Sequence, residues 1–205
     1  MRRQTEPGVI PVILDQDFYL RDTKIVAQQL LGKILFHKKE TGEIVSGRIV
    51  ETEAYLGVDD PAAHTFGDRK TTRTASMYLS GGHSYVYLIY GMYYCLNFVT
   101  REENTPQAVL IRALEPVHLN EEKIHKKNLD TNGPGKLCRH LDITKKQNGL
   151  QLWKKRSGLW VEEDSYKLPA KKIVTTTRVG VDYAGEAAKW PLRYYVKDSP
   201  WVSRR

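Results

Sequence analysis

Tyr85-Val86-Tyr87-Leu88-Ile89-Tyr90-Gly91-Met92-Tyr93-Tyr94-Cys95-Leu96-Asn97 carries five of the chain's twelve tyrosines within ten positions. Alternate side chains of a strand point to opposite faces, so Tyr85, Tyr87 and Ile89 share one side and Val86, Leu88 and Tyr90 the other. Gly91 supplies a turn, and the run reads as a β-hairpin with an aromatic wall and a bulky tip, Tyr90 and Met92. Flat π surfaces hold nucleobases, and a bulky side chain can replace one in a stack. Aromatics also favour strands for packing alone, so a half-buried sheet fits the same run.

Outward from the hairpin the sequence alternates strands with short helices. Asp22 is placed to cap a helix over Thr23–Leu31, with Val26, Ala27, Leu30 and Leu31 as its apolar stripe and Gly32 at its end. Strands are expected at Lys33–Lys38 and Glu43–Tyr55, joined by a Glu40-Thr41-Gly42 turn, and at Ala108–Leu114 after a polar loop (Arg101–Gln107). The stretch from Leu56 to Gly82 reads as irregular, with Pro61 opening a brief helix. A charged helix is expected near Asn120–Leu129, and another follows Gly133-Pro134-Gly135 with Leu137, Cys138 and Leu141. Further strands are read around Leu150–Trp153, Leu159–Glu162, Lys171–Val181 and Leu192–Val196. Hairpin-length connections favour antiparallel pairing. The fold class is therefore α+β: a single mixed α/β domain over residues 11–205 around a curved, largely antiparallel sheet with a protruding hairpin, preceded by a flexible tail at 1–10.

Composition narrows the partners. No apolar stretch approaches the ~20 residues needed to span a bilayer. The basic start lacks the apolar core of a signal peptide, so an intracellular protein is expected. The net charge of +8 suits a polyanion, and nucleic acid is the commonest one inside cells. Cys95 and Cys138 have no metal-type spacing around them and read as free buried thiols. None of the six histidines is spaced as HxH or HxxxH, so no metal site and no cofactor are expected.

Candidate chemistry begins at Arg48-Ile49-Val50-Glu51-Thr52-Glu53-Ala54-Tyr55. Period-two geometry aligns Glu51, Glu53 and Tyr55 on one face. Two like charges there suit either a solvated edge or the floor of a polar pocket in which one carboxylate activates water. Arg112, inside an apolar strand, needs a carboxylate partner, and Glu51 or Glu53 is the natural candidate. A purely structural ion pair fits the same spacing. His64 is either an ordinary polar residue or a functional ring. Arg69, Lys70 and Arg73 form a basic loop suited to phosphates or to solvent. Gly133-Pro134-Gly135-Lys136 and Arg178-Val179-Gly180-Val181 are glycine turns whose backbone amides could approach a phosphate, which makes Lys136 and Gly180 candidate contacts beside Arg69 and Arg73.

Together these segments resemble the alkyladenine (3-methyladenine) DNA glycosylase family. RIVETEAYLG at 48–57, AAH at 62–64, YVYLIYGMYYCLN at 85–97 and LIRALEP at 110–116 carry the likeness, and GPGKLCR at 133–139, RVGV at 178–181 and SPWVS at 199–203 extend it. The resemblance implies a monomeric enzyme that inserts the hairpin into the minor groove of double-stranded DNA and hydrolyses the N-glycosidic bond of an extruded, damaged purine. By position it makes Glu53 the water-activating base and Arg112 its partner in holding the water. Tyr55 and His64 would stack on one face of the base and Tyr87 on the other, with Asn97 opposing guanine's exocyclic amine. Tyr90 would fill the gap in the duplex, flanked in the minor groove by Met92 and Tyr93. Three places depart from the family pattern: the length of the Arg101–Gln107 loop, Thr65-Phe66-Gly67-Asp68 beside His64, and Asp182-Tyr183 in place of a Gly-His pair. Two other functions fit parts of the sequence. A non-catalytic single-stranded nucleic-acid binder with an aromatic stacking platform explains the tyrosines, and a sugar hydrolase explains the paired glutamates.

Overall fold

In the computed structural model, which describes residues 11–117 and 130–204, the tyrosine-rich run forms a hairpin of β4 (Ser84–Ile89) and β5 (Tyr93–Thr100). The expected tail at 1–10 and the expected helix at Asn120–Leu129 lie outside the described residues. Tyr85 pairs with Asn97, Tyr87 with Cys95 and Ile89 with Tyr93, so these six share one face. Val86, Leu96 and Phe98 point the other way into the main core. The turn differs from simple alternation. Tyr90 (φ 53°) and Gly91 (φ 68°) both lie in the left-handed region, the sign pattern of a type I′ turn, and the Met92 N–H bonds to the Ile89 carbonyl at 3.2 Å. Tyr90 therefore leaves the face of Val86 and joins the Tyr85–Tyr87 side. Glycine takes such a φ freely, whereas tyrosine does so only under strain.

The hairpin is one end of a sheet with the strand order β1 (Val12–Ile13), β7 (Leu159–Glu163), β2 (Ile34–Lys38), β3 (Ile44–Tyr55), β6 (Gln107–Pro116), β5, β4. Every described pairing is antiparallel. The twelve-residue β3 organises the sheet. Along one edge it meets β6; along the other it meets β2 through Ile44–Arg48 and then β9 (Arg193–Val196) through Glu51–Glu53. Register shifts between Ile49 and Thr52 mark the branch, and such irregularities bend and twist a strand. β8 (Ile173–Thr176) extends the branch beyond β9.

The α-helices bury their apolar sides on the face away from Glu53, and Pro134, at the start of the last of them, reaches round to the site cavity. In α2 (Thr23–Leu30) the Asp22 carboxylate caps the N-terminus, accepting from the Lys24 and Ile25 N–H groups, as its sequence predicts. Thr52, whose side chain opposes those of Glu51 and Glu53, donates to the α2 carbonyl of Ala27 at 2.8 Å. The third helix, α3 (Pro134–Leu141), follows the short α1 (Gln16–Leu20) and α2 in chain order and buries Leu137, Cys138 and Leu141 in the same core as Leu96 and Phe98. One face of the sheet is thus apolar and covered, which leaves the other for the site.

Three local expectations are corrected. Leu150–Trp153 makes only an isolated bridge, Gln151 to His83, because turns flank it on both sides. Pro61 begins a turn rather than a helix; Asp60 takes up the Ala62 N–H with its side chain and the Ala63 N–H with its carbonyl, closing the chain too tightly to continue. The strand expected at Lys171–Val181 is confined to Ile173–Thr176, since Arg178 turns inward to a buried ion pair.

Candidate active site

Two carboxylates from β3 meet one guanidinium from β6. Arg112 reaches Glu51 through Nε at 3.1 Å and Glu53 through Nη1 at 3.2 Å. The sequence offered either glutamate as partner; both are. Glu51 and Glu53 are completely buried and Arg112 is 7% exposed, so a solvated edge is excluded. The two acids have different surroundings. Glu51 is saturated, accepting also from Arg193 Nη1 (2.7 Å), the Ser203 N–H (2.7 Å) and Ser203 Oγ (3.0 Å). Glu53 accepts from the Val179 N–H (2.7 Å) and the Tyr55 hydroxyl (3.0 Å).

Those partners open onto a cavity of about 190 Å³ lined by Tyr55, Arg112 and Val179 together with His64, Tyr85, Tyr87, Tyr90, Asn97 and Tyr183. Glu53 itself lies one layer behind the wall, touching the cavity through three groups that line it. Burial pushes its carboxyl above the usual value, against the opposing pull of Arg112, the Val179 N–H and the Tyr55 hydroxyl. On Arg112 burial acts in the opposite sense, but Glu53 and Glu51 prevail and hold its guanidinium more firmly protonated. A carboxylate strained towards protonation beside a fixed cation has the make-up of a general base.

The expected ring slot is present but narrow. Tyr55, His64 and Tyr87 all line it. His64 and Tyr87, placed by the resemblance on opposite faces of a base, stand edge-on with centroids 4.5 Å apart. A planar ring held between two others needs about 7 Å, two contacts of about 3.5 Å each. His64 is held there by hydrogen bonds at both ring nitrogens. Arg73 Nη2 donates to Nε2 at 3.4 Å, so Nδ1–H donates to the Tyr85 hydroxyl at 2.9 Å. Burial and the Arg73 charge lower the His64 pKa to about 4, leaving the ring neutral. The Arg73 guanidinium also sits 5.0 Å over the Tyr87 ring. His64 and Tyr183 line both this cavity and a second of about 420 Å³ that Arg69, Thr71 and Arg73 border, so the two rings are the partition between them.

Behind Tyr55, the fully buried Asp60–Arg178 pair makes two hydrogen bonds (2.5 and 2.8 Å), with the guanidinium 4.8 Å over the Tyr55 ring. Asn97 lies on the floor, its Nδ2 donating to the Tyr85 carbonyl at 3.1 Å. At the tip Tyr90, Met92 and Tyr93 are exposed, Tyr90 to 82%. Helix α3 approaches Tyr93 so closely that a Cβ on Gly135 would meet the Tyr93 Cβ at 3.0 Å. Of the remaining candidates for phosphate, Gly180 lines the slot with open space about it, and Lys136 stands outside it, paired with Asp130 at 2.9 Å.

The family model for methylpurine-DNA glycosylase matches residues 17–200. The chain belongs to this family. Relatives provisionally named 3-methyladenine DNA glycosylase occur in Bdellovibrio bacteriovorus, 60% identical over 95% of this chain and 100% of the relative, and in Desulfitobacterium hafniense, 50% identical over 93% and 98%. A third, from Clostridium novyi, is 46% identical over 94% and 98%. Membership makes the chain a DNA repair glycosylase with DNA as its substrate. Among the described residues no helix is long and apolar enough to cross a membrane.

Several parts of this candidate site escaped the sequence. The Val179 N–H is a backbone group and leaves no trace in residue type. Arg193, between Leu192 and Tyr194, repeats the Arg112 signal of a cation among inward-facing apolar neighbours and could have been found by it. Tyr183 was noticed only as a departure, yet it lines the cavity and its hydroxyl donates to the Ala62 carbonyl at 3.2 Å.

Proposed function

We propose that this glycosylase removes alkylated or deaminated purines, of the 3-methyladenine, hypoxanthine and ethenoadenine class, from double-stranded DNA. It acts as an intracellular monomer formed by one domain over residues 11–205, with no metal or cofactor. The carrying observation is Glu53: a wholly buried carboxylate bonded to Tyr55, Arg112 and Val179, each of which faces the ring-lined cavity.

Capture of a purine requires His64 to leave Tyr87 and open the slot, after which Tyr55 and His64 stack on one face and Tyr87 on the other. Extrusion costs a few kcal/mol, least where pairing is already weak. Stacking contributes about 1–3 kcal/mol per base, so two ring faces and a Tyr90 plug in the vacated stack can offset it. Neutral His64, Tyr55 and Tyr87 place no charge against a cationic lesion; burial keeps both phenols protonated. Asn97 fills the floor where guanine would project its amine.

In the reaction the C1′–N bond breaks with its electron pair passing to the purine. Water adds to C1′, giving its proton to ionised Glu53 while Arg112 steadies the pair. The product is an abasic site. Met92 and Tyr93 flank the plug in the minor groove, and Arg69, Arg73, Lys136 and Gly180 are the contacts for the phosphates. The sugar-hydrolase reading loses its second acid, because Glu51 is saturated and, Arg112 apart, its partners Arg193 and Ser203 do not line the cavity, whereas all three partners of Glu53 do. The single-strand platform loses Tyr85, which is 1% exposed.

The test is single-turnover release from a duplex carrying one hypoxanthine or 1,N6-ethenoadenine, read by alkaline cleavage at the abasic site. The wild-type protein should release the base and form no adduct trapped by borohydride. Glu53→Gln should bind the duplex and lose at least about 100-fold in rate. Equal release by both proteins would remove Glu53 from its role.

A further inference from the structure

Glu51 is the acid that the proposed chemistry does not use, and it is the most heavily bonded side chain of the cluster. Its carboxylate draws together three distant parts of the chain: Arg112 on β6, Arg193 on β9, and Ser203 near the C-terminus. Beside its N–H bond to Glu51, the Ser203 hydroxyl acts twice, donating to Glu51 (3.0 Å) and accepting from Arg112 Nη2 (3.3 Å). Each nitrogen of the Arg112 guanidinium therefore has one address: Nε to Glu51, Nη2 to Ser203, Nη1 to Glu53. Arg193 is itself fixed by the Thr177 and Arg204 carbonyls, both at 3.0 Å. It is 5% exposed.

Charge matching follows from this geometry. Two buried carboxylates stand with two buried guanidinium groups. Without Arg193, a single arginine would be shared between both acids, and Glu53 would feel the unmatched charge of Glu51 through the low-dielectric interior. We propose that Arg193 and Ser203 are positioning residues of the glycosylase: they occupy Glu51 so that Arg112 is oriented towards, and its charge reserved for, Glu53. This inference rests on the assignment of Glu53 as the base.

The groups facing Glu53 are Glu51 and Tyr55 on β3, Arg112 on β6, Tyr87 on β4, Cys95 on β5, and Arg178 and Tyr183 beyond β8. Burial pushes the phenols and the thiol upward, so they remain neutral. Arg178 is committed to Asp60. Glu51, with its partners Arg112 and Arg193, is the remaining source of an adjustable field.

The experiment is the pH–rate profile of single-turnover excision, whose acid limb reports protonation of Glu53. Arg193→Gln should move that limb up by about one pH unit, the lower end of what one neighbouring charge does. Arg193→Lys, which restores the charge, should bring it back towards wild type even if the rate is lower. Glu51→Gln should move it down, and this variant decides the matter if Arg193→Gln does not fold. Ser203→Ala should lower the rate, because Arg112 loses the partner of Nη2. A residue that merely supports the fold would alter melting temperature and rate with the limb in place. An unmoved limb in Arg193→Gln and Glu51→Gln, with wild type active and Glu53→Gln inactive, overturns the inference and spares the assignment of the base. An inactive wild type, or an active Glu53→Gln, overturns both.

Discussion

Replacing Tyr90 by glycine should act with opposite signs on stability and on activity. The tyrosine holds φ at 53° in the hairpin turn, with its side chain 82% exposed. A left-handed conformation costs a residue with a β-carbon about 1–2 kcal/mol, and glycine escapes that cost. Glycine's freer unfolded chain returns about 0.5–1 kcal/mol. So little of the ring is covered that its removal subtracts little burial. The net expectation is a gain of between zero and about 1.5 kcal/mol. At about 2–4 °C per kcal/mol for a chain of this size, the melting point should stay level or rise by a few degrees. Activity should fall, because the plug's stacking, about 1–3 kcal/mol, corresponds to about 5–150-fold in the population of extruded base. Tyr90→Ala provides the control: it loses the plug and keeps the strain, so the Gly–Ala difference in melting point isolates the backbone. Thermal unfolding gives the first quantity, and the fluorescence of 1,N6-ethenoadenine in a duplex, followed by stopped flow, gives the second. A melting point several degrees lower in Tyr90→Gly than in Tyr90→Ala refutes the strain argument. Excision and flipping amplitudes equal to wild type refute the plug.

His64 should make stability fall on acidification. In the folded chain its ring takes a proton only near pH 4, against 6.5 when unperturbed. The unfolded chain binds the proton first, so stability is complete above pH 6.5 and is lost between 6.5 and 4. The interval corresponds to about 3 kcal/mol, and partial exposure of the ring brings the expectation to about 2. Melting curves of His64→Gln should show a shallower slope across that window; an unchanged slope places the effect elsewhere. Asp60→Asn leaves Arg178 charged and buried behind Tyr55, which should cost about 3–5 kcal/mol, or roughly 10 °C of melting temperature. A change under about 2 °C would mean the pair is not buried as described. Cys95 and Cys138 are both buried and free, with thiols pushed upward by that burial. A thiol reagent should therefore titrate both only after denaturant is added.

Residue order alone specified the hairpin, the strands about it and the residue types of the slot. These are local matters: period-two alternation in Tyr85–Ile89, a glycine at 91, an aspartate at 22 ahead of an apolar stripe. It also announced that Arg112 must have an acid partner, since a cation in an apolar strand cannot stay unpaired. What spacing alone left open, and the family resemblance assigned, was which glutamate would face the chemistry. Glu51 and Glu53 are equivalent by spacing on β3, and they are made unequal by Arg193 and Ser203, more than 140 positions away. Nor could it set the width of the slot, because the His64–Tyr87 contact depends on Arg73 and Tyr85 meeting at one imidazole. Alternation and capping are written in neighbouring residues, whereas the balance of buried charge depends on strands that come together only when the sheet branches at β3.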